Sequence, residues 1–222
     1  MSATSLRIDG KAVQAAEGQT ILELCRAHAI PLPTLCFLEG LSGVGACRLC
    51  LVEVKGSPKL QPACLLLAEE GMEISTDTAP LRSYRRQIVE LLFAERNHVC
   101  ATCVASGRCQ LQEVAYAVGM DHVRYPYLHP ATALDASHPR FILDHGRCII
   151  CTRCVRACGE LERAHTLEVA GRGRLAHLIT DLDQPWGTAE SCTSCGRCVE
   201  ACPTGALSGR WPAVTGSRPW IR

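Results

Sequence analysis

The sequence has 222 residues, a formal net charge of +1 and only 5% aromatic residues, so no global field points to nucleic acid and a large aromatic core is excluded. Cysteine is the outlier, at 16 residues, a density normally seen in disulfide-rich secreted scaffolds. The first ten residues carry no apolar run of a secretion signal and no stretch approaches the ~20 apolar residues of a membrane span, so the expectation is a cytoplasmic chain whose reduced thiols bind metal.

Residues 1–78 read as a small mixed domain. Ser5–Asp9 alternates like a strand, Gly10-Lys11 is a turn signal, and Val13–Ala15 is the hairpin partner. Ile21–Ala29 has helical apolar spacing, with Thr20 as N-cap and Pro31 and Pro33 as its end. Cys50–Val54 and Met72–Asp77 read as further strands. The order predicts a ferredoxin-like β-grasp. Inside it lie Cys36, Cys47, Cys50 and Cys64, at long-short-long spacing. That spacing suits a 2Fe-2S cluster held by a loop, with zinc as the alternative. Gly40, Gly43 and Gly45 lie between them and let backbone N–H groups approach sulfide. Gly43-x-Gly45 lacks the third glycine of a dinucleotide loop, and that reading is rejected.

A second unit spans residues 79–139. Residues 80–97 read as a helix with Pro80 near its start, and Arg82, Arg85 and Arg86 as a solvated face. Then come His98, Cys100, Cys103 and Cys109 within twelve residues, a metal-ligand set. A neutral imidazole in place of one thiolate makes a cluster less negative. The alternatives are a zinc site with these four ligands, or a surface His98 with the fourth ligand elsewhere. Residues 110–120 read as a helix. Residues 121–139 read as a loop-like connector packed by its tyrosines. His122, His129 and His138 there, with His145 beyond, read as surface groups or as neighbours of a cluster, His145 and Arg147 being best placed to tune one.

Residues 140–222 hold a pattern written twice. Cys148-x2-Cys151-x2-Cys154-x3-Cys158 is followed by Cys192-x2-Cys195-x2-Cys198-x3-Cys202-Pro203. This is the bacterial ferredoxin run for 4Fe-4S clusters, in which the fourth cysteine of each run binds the other cluster. Cys148, Cys151, Cys154 and Cys202 then form one set, and Cys192, Cys195, Cys198 and Cys158 the other. Zinc knuckles and a disulfide framework are the alternatives, and zinc sites seldom use a third and fourth cysteine at this spacing. Between the runs, Leu167–Ala170 and Leu175–Ile179 flank Gly171-Arg-Gly173 as a small hairpin, and Trp186 is expected beside the second run. The residues after Pro203, with Trp211 and Trp220, read as a short tail, disordered or docked on a partner.

The sets use 15 of the 16 cysteines. The remainder, Cys25, lies on the apolar face of a predicted helix and reads as structural. With no spare cysteine at suitable spacing, His98 is the natural fourth ligand of the middle set. The fold class is therefore α+β: a β-grasp 2Fe-2S domain, a 4Fe-4S domain with one histidine and three cysteine ligands, and a two-cluster ferredoxin-like domain. Four clusters in a small chain make a one-electron wire. There is no Rossmann fingerprint and no unused ligand constellation for an active-site metal, so catalytic cofactors are expected on other subunits. A zinc-stapled interaction module is the remote alternative.

The order of these sets resembles the N-terminal part of the large iron–sulfur subunit of respiratory complex I. It is similar also to the N-terminal regions of iron-only hydrogenases and of NAD-dependent formate dehydrogenases. With Arg96-Asn-His98-Val-Cys100-Ala-Thr-Cys103, Cys109-Gln-Leu-Gln and Pro185-Trp-Gly-Thr188, it looks most like the small diaphorase subunits of cytoplasmic NAD-reducing nickel–iron hydrogenases. One residue separates His98 from Cys100, where complex I has three and the hydrogenase family the shorter gap. The resemblance implies partners: a subunit binding FMN and NAD, and small and large hydrogenase subunits with a nickel–iron centre. It assigns the four ligand sets named above, and no catalytic residue. A formate dehydrogenase or a complex I-like assembly is the alternative user of the same relay.

Overall fold

A computed structural model describes residues 4–210. Strand β1 (Thr4–Ile8) turns at Asp9-Gly10 into β2 (Lys11–Ala15). Both residues of that turn have positive φ, which glycine adopts without cost. Helix α1 (Ile21–Ala27) follows, started by a capping box: Thr20 Oγ1 accepts from Glu23 N, and Glu23 Oε2 accepts from Thr20 N at 2.8 Å. It ends two residues earlier than its apolar spacing suggests. Ala29 is left-handed and Ile30 N turns back to Cys25 O. Strands β3 (Leu51–Val54), β4 (Gln61–Pro62) and β5 (Glu73–Ser75) complete a sheet of order β2-β1-β5-β3-β4. Only β1 and β5 run parallel. Ile8, Ile21, Leu22, Leu24, Val52 and Ile74 fill the space between sheet and helix, the arrangement expected of a β-grasp. Cys25 is fully buried in that core, where burial pushes its thiol up to about 11.

Helix α2 (Ala79–Glu95) starts behind the N-cap Thr78 with Pro80 in its first turn. Its arginines do not form the solvated face expected from sequence. Arg82 is exposed, but Arg85 is buried and donates to the carbonyls of Leu49, Leu51 and Thr76. Those carbonyls lie at the start of β3, just before it and just past the end of β5, where the ladder leaves them in need of donors. Arg86 bridges Glu90 and Asp121. Helix α3 (Gln110–Ala117) packs on α2 through Leu111, Val114 and Val89.

The connector between residues 121 and 139 is held differently than predicted. Tyr127 is exposed and Tyr125 is only half-buried, and polar contacts supply most of the connector's anchoring. Arg124 pairs with the fully buried Glu90, Asp121 with Arg86, and Leu128 N with Ala94 O. Its last residues form β6 (Leu134–Asp135), which pairs with β7 (Phe141–Asp144). On the other side of β7 lies β10 (Leu207–Gly209). The chain after Pro203 is therefore a strand through Gly209 rather than a tail, because Leu207 joins the core of Phe141, Leu143 and Trp186. Arg210 donates to the carbonyls of Ala136 and His138; Trp211 and Trp220 lie outside the described residues.

The twin runs carry the short helices α4 (Arg153–Arg156), continued by a π turn over Ala157–Leu161, and α5 (Arg197–Ala201). Between them, β8 (Leu167–Ala170) and β9 (His177–Thr180) form the expected hairpin. Its second strand starts late because residues 173–175 make a tight 3-10 turn.

Candidate metal centres

All sixteen cysteines are free thiols, so no disulfide framework is present. Four sets of donors come together.

In the first set, Cys36, Cys47, Cys50 and Cys64 contact one another through their sulfur atoms. Leu35 N donates to Cys47 Sγ at 3.4 Å. The thiol of Cys47 is raised by its hydrogen bond to Cys36 and by burial. The loop must run tightly here. A Cβ on Gly43 would lie 2.8 Å from the Cys64 carbonyl oxygen, and one on Gly45, whose φ is +59°, 2.9 Å from Leu65.

In the second set, His98, Cys100, Cys103 and Cys109 line one cavity with Phe93, Arg147, Thr204 and Gly205. Burial, with the charges of Arg147 and Arg96, lowers His98 to about 4. The imidazole is therefore neutral at physiological pH. Its hydrogen bond to the Leu92 backbone occupies one ring nitrogen, and Nε2 is buried without any partner. A neutral histidine with one nitrogen anchored and the other bare in a cavity lined by three thiols could serve as a metal ligand. Gly205 backs the site: a Cβ there would lie 2.7 Å from Cys103 Sγ.

The third cavity is lined by Cys148, Cys151, Cys154 and Cys202, and the fourth by Cys158, Cys192, Cys195 and Cys198. The chain thus brings the last cysteine of each run to the first three of the other. Burial pushes Cys148 up to about 11, Cys151 and Cys198 up to about 12, and Cys154 well above its ordinary value. Thiols held this way resist ionisation unless a cation replaces the proton, which is the chemistry of metal ligands. The backbone between them is strained in matching places. Ile150 and Thr152 in the first run, and Ser194 and Gly196 in the second, all have positive φ, as does Arg48 between Cys47 and Cys50. β-Branched residues such as Ile150 and Thr152 adopt this only where the surroundings enforce it, at a cost of about 1–3 kcal/mol each. The left-handed residues wrap the chain around each cavity.

Neighbouring groups differ from expectation in one respect. Arg147 does line the His98 cavity, but the histidine outside the four sets that stands beside a thiol is the buried His138 rather than His145. Its Nε2 lies 3.1 Å from Ser194 Oγ and 3.8 Å from Cys192 Sγ. Trp186 is buried beside the second run and donates from Nε1 to Cys192 Sγ at 3.4 Å. His122 and His129 are exposed. The roles of His138, Thr204, Gly205, Arg153 and Arg156 were not read from sequence, because nothing local marks them. The one available signal was that Arg153 and Arg156 lie among the cysteines of a run.

Three family profiles match in chain order. Residues 2–79 match a 2Fe-2S iron–sulfur cluster binding domain, 85–124 the NADH-ubiquinone oxidoreductase-G iron–sulfur binding region, and 139–208 the ferredoxin-like domain of NADH-quinone oxidoreductase subunit 3. The NAD-reducing hydrogenase HoxS subunit gamma of Cupriavidus necator is 32% identical over 203 residues, which cover 91% of this chain and 85% of that protein. The chain belongs to the family of that gamma subunit. A member of known structure, from the crystal structure of NAD+-reducing nickel–iron hydrogenase in the H2-reduced state, superposes with a TM-score of 0.90 at 35% identity. The match covers 96% of this chain and 90% of that one. The family's iron–sulfur modules recur in larger proteins. The NADPH-Fe(3+) oxidoreductase subunit alpha of Geobacter sulfurreducens is 35% identical over 216 residues, and this chain spans only 25% of its length. The gamma-subunit family thus carries 2Fe-2S and 4Fe-4S binding domains in an α+β fold. Among the described residues, no helix is long and apolar enough to cross a membrane.

Proposed function

We propose that the chain is the electron-transfer subunit of a cytoplasmic hydrogen:NAD+ oxidoreductase complex. It relays single electrons between a subunit that binds flavin and NAD and a nickel–iron hydrogenase module. The observation that carries this reading is the match to the hydrogenase gamma subunit over most of both chains.

In this reading Cys36, Cys47, Cys50 and Cys64 hold a 2Fe-2S cluster. His98, Cys100, Cys103 and Cys109 hold a 4Fe-4S cluster, as do Cys148, Cys151, Cys154 and Cys202, and Cys192, Cys195, Cys198 and Cys158. The units are residues 1–78, 79–139 and 140–222. Bound clusters supply one-electron storage at potentials set by ligand charge, hydrogen bonds and exposure. The protein's own part is to hold these sites close and to separate them with polar backbone. The segment from Cys202 to Gly205 is such a wall, with Thr204 lining both the His98 and the Cys148 cavities. Pro203 O accepts from Gln110 N, the residue bonded to Cys109, at 2.9 Å, and Thr204 Oγ1 donates to Arg147 O. A short route of bonds and hydrogen bonds therefore joins Cys202 to Cys109. Cys195 is exposed, which supports the fourth site as the one that meets a partner. No catalytic step falls to this chain.

Iron and acid-labile sulfide analysis of anaerobically purified protein tests the reading. One two-iron and three four-iron clusters give about 14 iron atoms per chain; zinc in place of iron would overturn it. Co-purification with nickel–iron subunits supports the hydrogenase assignment, and with a molybdenum subunit defeats it.

A further inference from the structure

Helix α4 carries two arginines, Arg153 and Arg156, that are 3% and 8% exposed. Arg153 donates from Nη1 to Gln110 Oε1 at 2.8 Å and from Nη2 to Phe37 O at 2.6 Å. Arg156 donates to the carbonyls of Cys36 and Ser42. Every one of these acceptors is neutral. Each guanidinium also keeps a buried Nε–H with no acceptor, and among the described residues no ion pair reaches either one.

A buried cation without an anion costs several kcal/mol. Arg156 has partial relief from Glu160, one turn on, whose carboxylate accepts from Ser42 and feels the Arg156 charge. Arg153 has no such neighbour. Its bond to Phe37 O sets it next to Cys36, and in the chain it lies between Cys151 and Cys154; its charge acts on Cys151 of the third set and on Cys36 and Cys47 of the first, with Arg156 as a like-charged neighbour. It therefore stands between two donor sets that belong to different domains.

We propose that Arg153 is the shared counter-charge of two clusters, those of the Cys36 set and the Cys148 set, and that it raises the reduction potential of both. The proposal rests on the cluster assignment above. Reduction of either cluster adds one electron and one unit of negative charge, and breaks no bond in the protein. A nearby cation stabilises the reduced form. One cation between two centres favours the electron on either side of the domain boundary. Arg156 has the simpler task of docking α4 on the Cys36 loop.

EPR-monitored redox titration of the anaerobically purified, iron-loaded protein tests this. Arg153→Gln lowers the midpoint potentials of the 2Fe-2S cluster and of the Cys148-set cluster, and leaves the Cys192-set cluster at its wild-type value. Arg153→Lys, which keeps the charge, restores most of the shift. Gln110→Glu gives Arg153 a carboxylate partner without removing its side chain, and lowers the 2Fe-2S potential too. An unmoved 2Fe-2S potential, an equal shift of every cluster, or a lysine variant as low as the glutamine variant would each overturn the proposal. Should Arg153→Gln lose its iron, Gln110→Glu decides alone. Wild-type protein without iron defeats the cluster reading itself; loaded protein with unmoved potentials defeats only the role of Arg153.

Discussion

In residues 4–76 the core is Leu6, Ile8, Val13, Ile21, Leu22, Leu24, Val52 and Ile74, closed by a five-stranded sheet and a capped helix. The candidate donors Cys50 and Cys64 are buried in that core at the loop ends of β3 and β4. In residues 139–210 the thiols are the interior. Cys154, Cys158 and Cys198 are buried among Phe141, Leu143, Leu178 and Trp186, with Cys192 and Cys202 packed against them. The helices there have four and five residues, far below the length at which a helix persists without tertiary support. The first region buries apolar surface against itself, whereas the second encloses cavities walled by thiols. On the proposed cluster assignment, metal is an accessory to one half of the chain and the framework of the other.

Stripping the iron by chelation should have the largest effect. Amide hydrogen exchange should show residues 139–209 losing protection together, while β1, β2 and α1 keep theirs; uniform loss would erase the distinction. Next comes Cys158→Ala. Iron analysis and EPR should show loss of the cluster of Cys192, Cys195 and Cys198, with the Cys148-set cluster retained. Selective loss of the Cys148-set cluster instead would show that the runs do not cross. Leu22→Ala, at a fully buried position, should destabilise the N-terminal region by about 2–5 kcal/mol in denaturant melts. It should leave the iron content of the other domains unchanged. Thr20→Ala removes one half of the capping box and should cost about 1 kcal/mol in the same melts. His98→Cys should change stability least. Its signature is electrical: an added thiolate lowers the potential of the middle cluster, and an unchanged spectrum and potential would remove His98 from the ligand set.

The N-terminal fold was legible because period-2 strands, the Gly10 turn and Thr20 as N-cap are local signals. The arginines of α2 misled for the opposite reason. Arg85 looks solvated on helical periodicity, yet it is buried because three carbonyls from β3 and the β5 end converge on it. The connector misled likewise: its anchor, Glu90 with Arg124, joins residues 34 positions apart. His138 gave no sign of its closeness to Cys192, 54 residues away, because β7 and the second run meet only in the folded chain.

By itself the sequence marked the candidate donors and their grouping into four sets, since cysteine spacing is a local property tied to cluster size. Only the tertiary structure decided what stands between the groups. The Pro203–Gly205 wall, the bare Nε2 of His98 and the Arg153 cation between two domains arise from long-range packing, and spacing along a chain carries no record of which distant charges are buried side by side.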